Sequence, residues 1–168
     1  PAWLHSVNQD NAFRAGDQIV VPALENSKPT PLTASIRIEK SERILFLLDK
    51  AGLIVGAFPI SIGSASDPLP IGLLEIRTAV KNPMFAFSPA LLKGATSPDI
   101  NANIAPGPNN PVGVYWLGLN KPHWGIHGTP EPGRIGQTEN NGCIRLTNWD
   151  VLRLTQVVEI GFAVDVRA

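Results

Sequence analysis

The sequence predicts a mainly β fold. The 16 prolines and 15 glycines are spread along all 168 residues, and this spacing favours many short strands joined by defined turns over a helical bundle. Only residues 148–159 carry apolar side chains close to helical spacing. Because the composition is 43% hydrophobic and 17% charged, we expect one globular domain with a sizeable core.

The charge balance argues against several classes of partner. Lysine plus arginine equals aspartate plus glutamate at 14 each, so no net charge draws the chain to nucleic acid or to an anionic membrane surface. The longest apolar runs are broken by charge and glycine well before the ~20 residues that a membrane span needs. No basic segment followed by an apolar one opens the chain, as expected of a cytosolic protein or of one whose signal peptide has been removed.

The N-terminal residues differ from the rest. Residues 1–24 form a lead-in segment, in which a polar turn around Gly16 precedes a short predicted strand over residues 18–21. The segment is similar to the closing half of a LysM-type wall-binding module but too short to be a complete one; the alternative is a lead-in strand packed on the main domain. Residues 25–34, "ENSKPTPLTA", look like a linker, so the main domain is expected over residues 35–168.

Strands account for most of the predicted main domain. "SIRIEK" at residues 35–40 is the first, and residues 43–63 form two more that a turn at Gly52 joins as a hairpin. Turns rich in proline and glycine then precede further strands over residues 73–80 and 112–119. The chain closes on "FAVDVRA", which alternates apolar and polar residues as a half-buried strand does.

One helix is predicted, over residues 148–159. Thr147 or Asn148 can cap its N-terminus, and Asp150 suits the positive end of the helix dipole. Gly161 suits the position just after its end.

Cys143, in "TENNGCIRL", is the only cysteine of the chain. It cannot form an internal disulfide or a multi-thiolate zinc site, and the scattered histidines complete no ligand cluster, so we expect no metal and no other cofactor. A free cysteine is often an inert packing residue. Here Gly142 precedes the sulfur in a loop whose consecutive backbone N–H groups can form an oxyanion hole beside a thiolate. The alternatives are therefore a packing residue and a nucleophile.

A cysteine nucleophile needs a base, and the chain has three histidines. His5 and His123 lie in polar turns and are expected to be solvated. His127 ends the apolar segment "WGIH" and precedes the sharp turn "GTP", so a strand end presents it as the candidate base; a structural histidine is the alternative. If the pair is real, the fold must bring His127 and Cys143 together in a cleft, with Arg145 near it and the other two histidines away from the sulfur.

"IHGTPEPGRIGQTENNGCIRLTNWDVLRL" resembles the signature of the L,D-transpeptidase (YkuD) family. That signature is a histidine-glycine-threonine turn, a short spacer, serine-histidine-glycine-cysteine, and an isoleucine-arginine-leucine run before a helix. "PLPIGLLEI" resembles the family's proline-glycine strand entry, and "APGPNNPVGVYWLGLNKP" resembles a stretch of its proteobacterial periplasmic members. The resemblance runs from Ser35 to the C-terminus. It implies a sandwich of two mixed sheets with one or two short helices and a cysteine site under a mobile loop.

The resemblance further implies a peptidoglycan enzyme of the periplasm or cell wall. In the family a thiolate attacks the L,D bond after diaminopimelate in a stem tetrapeptide, releases D-alanine and passes the acyl group to an amine. That amine belongs to another diaminopimelate, giving a 3-3 cross-link, or to an outer-membrane protein or lipoprotein. Two alternatives stay open: a hydrolase on the same fold, an L,D-carboxypeptidase or amidase that uses water, and a catalytically silent wall-binding module.

The family's site residues are carried over one by one. Cys143 takes the place of the nucleophile, and His127 takes that of the general base. Gly128 matches the position whose backbone carbonyl orients that histidine, while Gly142 and Cys143 offer backbone N–H groups to the tetrahedral oxyanion. Arg145 matches an arginine that organises the site or meets a substrate carboxylate, and a surface ion pair is the alternative for it.

The chain departs from the signature at Asn140 and Asn141, which stand where the family has serine and histidine. Asparagine does not titrate, so any role of that second histidine in proton transfer or in the positive potential of the site is lost. Because His127 keeps the base role, we expect an active enzyme in which Asn141 contacts the substrate or oxyanion and the pH optimum or acceptor preference is shifted. The competing interpretation is a relaxed or repurposed site.

Overall fold

The computed structural model describes most of the main domain and a few residues before it. The described residues are 14, 16–19, 33–63, 68–87, 102–137 and 142–168. They contain the strands β1 (Ser35–Glu39), β2 (Ile44–Leu48), β3 (Ile54–Pro59), β4 (Gly72–Lys81), β5 (Phe85–Phe87), β6 (Ala102–Ile104), β7 (Tyr115–Leu119), β8 (Gly125–His127), β9 (Ile144–Arg145) and β10 (Ala163–Arg167), together with helix α1 (Asn148–Leu154).

Eight of these strands form one mixed sheet in the order β3-β2-β1-β10-β4-β7-β8-β9, and β5 and β6 form a separate antiparallel pair. Within the large sheet, β1 runs parallel to β10 and β8 runs parallel to β9. Strand β4 pairs with β10 over residues 72–75 and with β7 from residue 76 onward, with an irregularity between Ile76 and Thr78. The two mixed sheets expected from the resemblance are therefore the two halves of one sheet that share β4.

The large sheet curls until its opposite edges meet. Ser61 follows the edge strand β3, and its N–H donates to the carbonyl of Arg145 in the other edge strand, β9, at 3.0 Å. The Arg145 N–H donates in return to the Ser61 carbonyl at 2.8 Å. This antiparallel bridge pairs the short strand β9 on both of its sides and fixes the backbone of Arg145.

Alternation along the strands places the core, because successive side chains of a strand point to opposite faces. Strands β1, β2 and β10 each bury every second residue: Ile36, Ile38, Leu45, Leu47, Val164 and Val166. The other half of the sheet and helix α1 add to the same cluster Leu117, Ile126, Ile144, Val151 and Leu154. Each fully buried side chain of this kind stabilises the fold by roughly 1.5–3 kcal/mol.

The mainly β prediction is confirmed, and β1, β2, β3, β4 and β10 lie where the sequence placed them. The hairpin turn between β2 and β3 has Gly52 at φ 80°. The strand predicted over residues 112–119 begins only at Tyr115, because the Gly113 N–H donates to the Asn110 carbonyl at 2.8 Å and closes a turn there. Strands β5, β6 and β9 were not predicted.

Helix α1 begins as predicted. Thr147 is its N-cap, and the Thr147 hydroxyl accepts a hydrogen bond from the Asp150 N–H at 3.1 Å. The same hydroxyl donates to the Asp150 carboxylate at 2.7 Å, so the acidic side chain completes the cap.

The predicted end of the helix at residue 159 is wrong, because the helix ends at Leu154. The Val157 N–H donates to the Leu154 carbonyl at 3.1 Å, a bond across three residues that tightens the chain into a turn after the helix. Branching at Cβ lowers the helix propensity of these valines. Gly161, at φ 97°, then turns the chain into β10.

The polar turn predicted near the N-terminus is present. The Asp17 N–H donates to the Arg14 carbonyl at 3.0 Å, and Gly16 has φ 93°. Of the strand predicted over residues 18–21, residues 18 and 19 are described and belong to no strand, and the other two lie outside the described residues. The division into lead-in segment, linker and main domain stays a prediction. None of the helices in the described part of the chain has the length and apolar character that crossing a membrane requires.

Candidate active site

His127 is the last residue of β8 and is only 4% exposed. Its Nδ1 lies 2.7 Å from the carbonyl oxygen of Gly128, the contact that the resemblance implied. Because a carbonyl oxygen can only accept, we assign the imidazole proton to Nδ1. Nε2 then carries the lone pair, and it is the nitrogen that can take a proton from another group.

Burial lowers the pKa of His127 to about 4, since desolvation disfavours the imidazolium. The hydrogen bond to Gly128 acts in the opposite direction, and the positive charge of Arg145 lowers the pKa further. The imidazole is therefore neutral at physiological pH. In the unfolded chain the same group takes up a proton near its ordinary value of 6.5, so its contribution to stability is lost as the pH falls from 6.5 towards about 4.

The strand register places three side chains in one row across β7, β8 and β9. Trp116 pairs with His127 between antiparallel strands, and His127 pairs with Arg145 between parallel ones. Directly paired residues project from the same face of a sheet. A neighbour of each of these three residues points into the core on the opposite face: Leu117, Ile126 and Ile144. The imidazole thus lies between an indole and a guanidinium, on the face away from this core.

Cys143 directly precedes β9 and lies two residues before Arg145, so the pleat gives it the same face. Extending the β8–β9 register by one pair would place it opposite Gly125. With ordinary strand spacing and rise, its Cα would then lie about 8 Å from that of His127, within reach of converging side chains. Cys143 therefore directly precedes the strand that lies beside the one ending at His127, despite their separation in sequence.

The loop before the cysteine turns sharply. Gly142 is buried and has φ 87°, in the left-handed region that a residue with a Cβ rarely adopts. This conformation supports the prediction that the glycine shapes the backbone immediately before the sulfur, although a role for the two N–H groups as an oxyanion hole stays a prediction.

The sulfur of Cys143 donates a hydrogen bond to the backbone carbonyl of His123 at 3.3 Å. His123 has φ 67°, an uncommon conformation for a residue with a side chain. Our expectation that His123 lies away from the sulfur is wrong for its backbone, while its side chain is exposed as predicted. The physical reason is the tight β7–β8 turn, in which Trp124 donates to Lys121 and so brings the loop back beside the start of β9.

Arg145 is half-buried on the same face. Burial lowers the pKa of its guanidinium, whereas negative charge at Cys143 and at Glu131 raises it and Arg134 lowers it. Arginine stays protonated nonetheless. Its Nε is buried and has no hydrogen-bond partner among the described residues, and the ion pairs found in those residues do not include it. The surface ion pair that was the alternative for Arg145 is therefore not what this part of the chain shows.

The chain after His127 is tied to the opposite edge of the sheet through Ser61, which is buried. The Ser61 hydroxyl accepts from the Gly136 N–H at 3.0 Å and donates to the Arg134 carbonyl at 3.4 Å. The guanidinium of Arg43 donates to the Gly136 carbonyl at 2.6 Å. Ser61 thus bridges β9 with its backbone and anchors the following loop with its side chain.

Asn148 has a structural role that the sequence did not reveal. The sequence indicated only that Asn148 can cap the helix. In the structure its side chain accepts a hydrogen bond from the Val114 N–H at 3.1 Å and donates one to the Pro108 carbonyl at 3.0 Å. A Cβ at Gly113 or at Gly128 would collide with its side-chain oxygen. The glycine that orients His127 is therefore required to be small, and only the tertiary contact shows why.

Trp116 is the other contact residue that sequence analysis missed, and its stacking on His127 depends on strand register. Asn140, Asn141 and His5 lie outside the described residues, so their predicted roles stay predictions. Within the parts of the chain that the structure describes, no group of three or more histidine, cysteine, aspartate or glutamate residues could hold a metal ion.

Comparison with known proteins identifies the family of this chain. The sequence model of the L,D-transpeptidase catalytic domain, YkuD, matches residues 33–166. The chain belongs to the L,D-transpeptidase (YkuD) family. The match covers both halves of the large sheet, from the residues just before β1 to all but the last residue of β10, and includes the row of residues around His127.

Relatives of this L,D-transpeptidase family member occur in Bacillus and in Escherichia coli. The YkuD protein of Bacillus licheniformis is 30% identical over 152 residues, which are 90% of this chain and 75% of that protein. The YkuD protein of Bacillus subtilis is also 30% identical over 152 residues, covering 90% of this chain and 76% of its own length. ErfK/SrfK of Escherichia coli is 26% identical over 156 residues, which are 91% of this chain but 50% of that protein. All three are named as L,D-transpeptidases.

Solved structures of the family share the fold. L,D-transpeptidase 3 from Mycobacterium tuberculosis, in complex with a faropenem-derived adduct, has a TM-score of 0.63 at 18% identity and covers 81% of this chain and 61% of that one. An L,D-transpeptidase from Mycobacterium smegmatis has a TM-score of 0.60 at 17% identity and covers 79% of this chain and 58% of that one. The chain spans less than two thirds of both mycobacterial chains.

Proposed function

We propose that this chain is a peptidoglycan L,D-transpeptidase that forms an acyl-enzyme on Cys143. The observation that carries the proposal is the hydrogen bond from His127 Nδ1 to the Gly128 carbonyl, because it leaves a lone pair on Nε2 at the end of β8, and Cys143 directly precedes the neighbouring strand β9. We further propose that the enzyme works in the periplasm or cell wall on stem peptides and needs no cofactor.

Acylation requires a proton to leave the sulfur as the sulfur attacks. In the proposed step, His127 Nε2 accepts the thiol proton while Sγ bonds to the carbonyl carbon of the L,D bond after diaminopimelate. The N–H groups of Gly142 and Cys143 stabilise the oxyanion. When the tetrahedral intermediate collapses, the bond to D-alanine breaks, its amine takes the proton from His127, and a thioester to Cys143 remains.

The resting geometry indicates how this transfer is timed. The thiol hydrogen is directed at the His123 carbonyl, so the S–H bond must first rotate towards His127. Because desolvation disfavours the imidazolium, complete transfer of the thiol proton to His127 is unfavourable in the resting site. We therefore infer that proton transfer and attack are concerted, with the charge of Arg145 stabilising the sulfur as it loses its proton.

The second half-reaction decides the product. An acceptor amine attacks the thioester, His127 takes up one of its protons, and the new amide forms as the sulfur leaves and is reprotonated. With a second diaminopimelate this gives a 3-3 cross-link, and with a protein amine it attaches an outer-membrane protein or lipoprotein to the wall. With water in the same place the enzyme would be an L,D-carboxypeptidase or amidase. The buried Nε–H of Arg145, which lacks an acceptor among the described residues, is suited to a substrate carboxylate.

Incubation with a purified disaccharide-tetrapeptide tests the proposal. We expect mass spectrometry to show a cross-linked dimer lacking one D-alanine, formed by the wild-type chain and not by Cys143→Ala. A tripeptide that has lost D-alanine and gained water would support the hydrolase instead. No product, together with no mass increase of the intact chain on exposure to faropenem, would refute an acyl-enzyme and favour a wall-binding module.

A further inference from the structure

Trp116 lies against His127 on the face that carries the candidate site. The indole and imidazole rings are stacked, with centroids 5.5 Å apart and planes at 22°. Aromatic rings at this separation attract one another beyond the effect of the area they bury. Arg145 flanks His127 from β9, and Trp116 flanks it from β7. The indole therefore covers the side of the imidazole away from Arg145.

Two glycines make room for the indole. A Cβ at Gly125 would lie 2.5 Å from Cζ2 of Trp116, and one at Gly118 would lie 3.0 Å from its Nε1 and closer still to the hydroxyl oxygen of Thr78. Gly118 and Gly125 pair with each other across β7 and β8. They therefore form a seat for the indole immediately beside His127.

We propose that Trp116 is a positioning residue for His127: seated on Gly118 and Gly125, the indole holds the imidazole plane and excludes water from it. The proposal rests on the proposed function, since it gives Trp116 a part in presenting the base to Cys143. Desolvation is the largest cause of the lowered pKa of His127, so loss of the indole should admit water and ease protonation of the ring.

Four variants separate positioning from simple packing. Trp116→Leu removes the ring but stays apolar, and Trp116→Phe keeps a smaller ring. Gly125→Ala leaves Trp116 unchanged but occupies its seat, in a backbone conformation that alanine can adopt. Trp149→Leu is the matched control, because Trp149 is 57% exposed on helix α1.

The readout is the pKa of His127, followed by NMR through its ring Cε1–H signal, which a His127→Gln variant assigns among the three histidines. We expect Trp116→Leu and Gly125→Ala to raise this pKa from about 4 by at least one unit, a tenfold change in protonation, and Trp116→Phe to raise it less. Trp149→Leu should leave it unchanged. An unchanged value in both site variants, or an equal shift in Trp149→Leu, would overturn the proposal.

A second readout separates this proposal from the proposed function. The acid limb of Cys143 acylation by faropenem, followed by intact mass, should move to higher pH with the NMR value, because the base must be unprotonated to act. A shifted NMR value in a chain that never acylates would leave Trp116 as a positioning residue and refute the transpeptidase. Acylation with an unshifted NMR value would support the transpeptidase and refute the positioning role of Trp116. If Trp116→Leu does not fold, Trp116→Phe and Gly125→Ala decide the question.

Discussion

The two halves of the sheet use burial differently. In β1, β2, β3 and β10 the buried side chains are apolar, and in β1, β2 and β10 alternation alone gives them one inner face. The buried polar side chains of the described residues all lie in or against the half that contains β7, β8 and β9: Ser61, Asn110, His127, Thr129 and Thr147. Each of these five has a hydrogen-bond partner. Both halves therefore supply stability through apolar area, while the second half also fixes buried polar side chains by hydrogen bonds.

Replacing the sulfur should give the largest change in activity. We expect Cys143→Ala to abolish acylation by faropenem and turnover of the tetrapeptide, with a thermal midpoint close to that of the parent, since the thiol is only half-buried. The mass of the intact chain after exposure to faropenem measures acylation, and the chain has a single cysteine to which the adduct can be assigned.

The packing alternative predicts the opposite pattern for the same variant. An inert buried cysteine would leave turnover intact and lower the unfolding free energy by about 1 kcal/mol for the small cavity. Substantial residual acylation in Cys143→Ala would therefore remove Cys143 as the nucleophile.

In the apolar half the effect should be on stability instead. Leu47 in β2 is fully buried, so we expect Leu47→Ala to lower the unfolding free energy by about 3 kcal/mol, as measured by urea denaturation. Below the transition, acylation per folded molecule should equal that of the parent. Leu47→Ile, which conserves volume, should cost less than about 1.5 kcal/mol. A loss of acylation in fully folded Leu47→Ala would show that the two halves are not separable.

The same contrast explains what could be predicted from the sequence. Strands β1, β2 and β10 bury alternate residues, and this local pattern can be read directly. Strand β9 has only two residues and exists because β8 and Ser61 pair with it from both sides. No window around residue 144 contains that information, so the strand was missed.

The site divides in the same way. Cys143 and His127 could be proposed because their residue types and the neighbouring glycines carry a chemical pattern. The contact between the sulfur and the His123 carbonyl depends on a loop that returns beside β9, and the seat of Trp116 depends on which glycines pair across two strands. Both are long-range consequences of register, which the sequence of a single segment does not encode.

The smallest effect is expected at Asn141, which lies outside the described residues. If a histidine at this position helps to ionise the thiol, Asn141→His should lower the apparent pKa that governs Cys143 acylation and speed the reaction about threefold near neutral pH, for a shift of ~0.5 unit. The limb near pH 4 that belongs to His127 should stay in place, because burial sets it. Asn140→His, one residue further from the sulfur, is the matched control. If Asn141 instead donates a hydrogen bond to the oxyanion, Asn141→His should slow acylation by a factor that corresponds to about 3 kcal/mol. An identical pH profile for both variants and the parent would mean that the two asparagines only shape the turn before Gly142, and that the polar half of the sheet works without them.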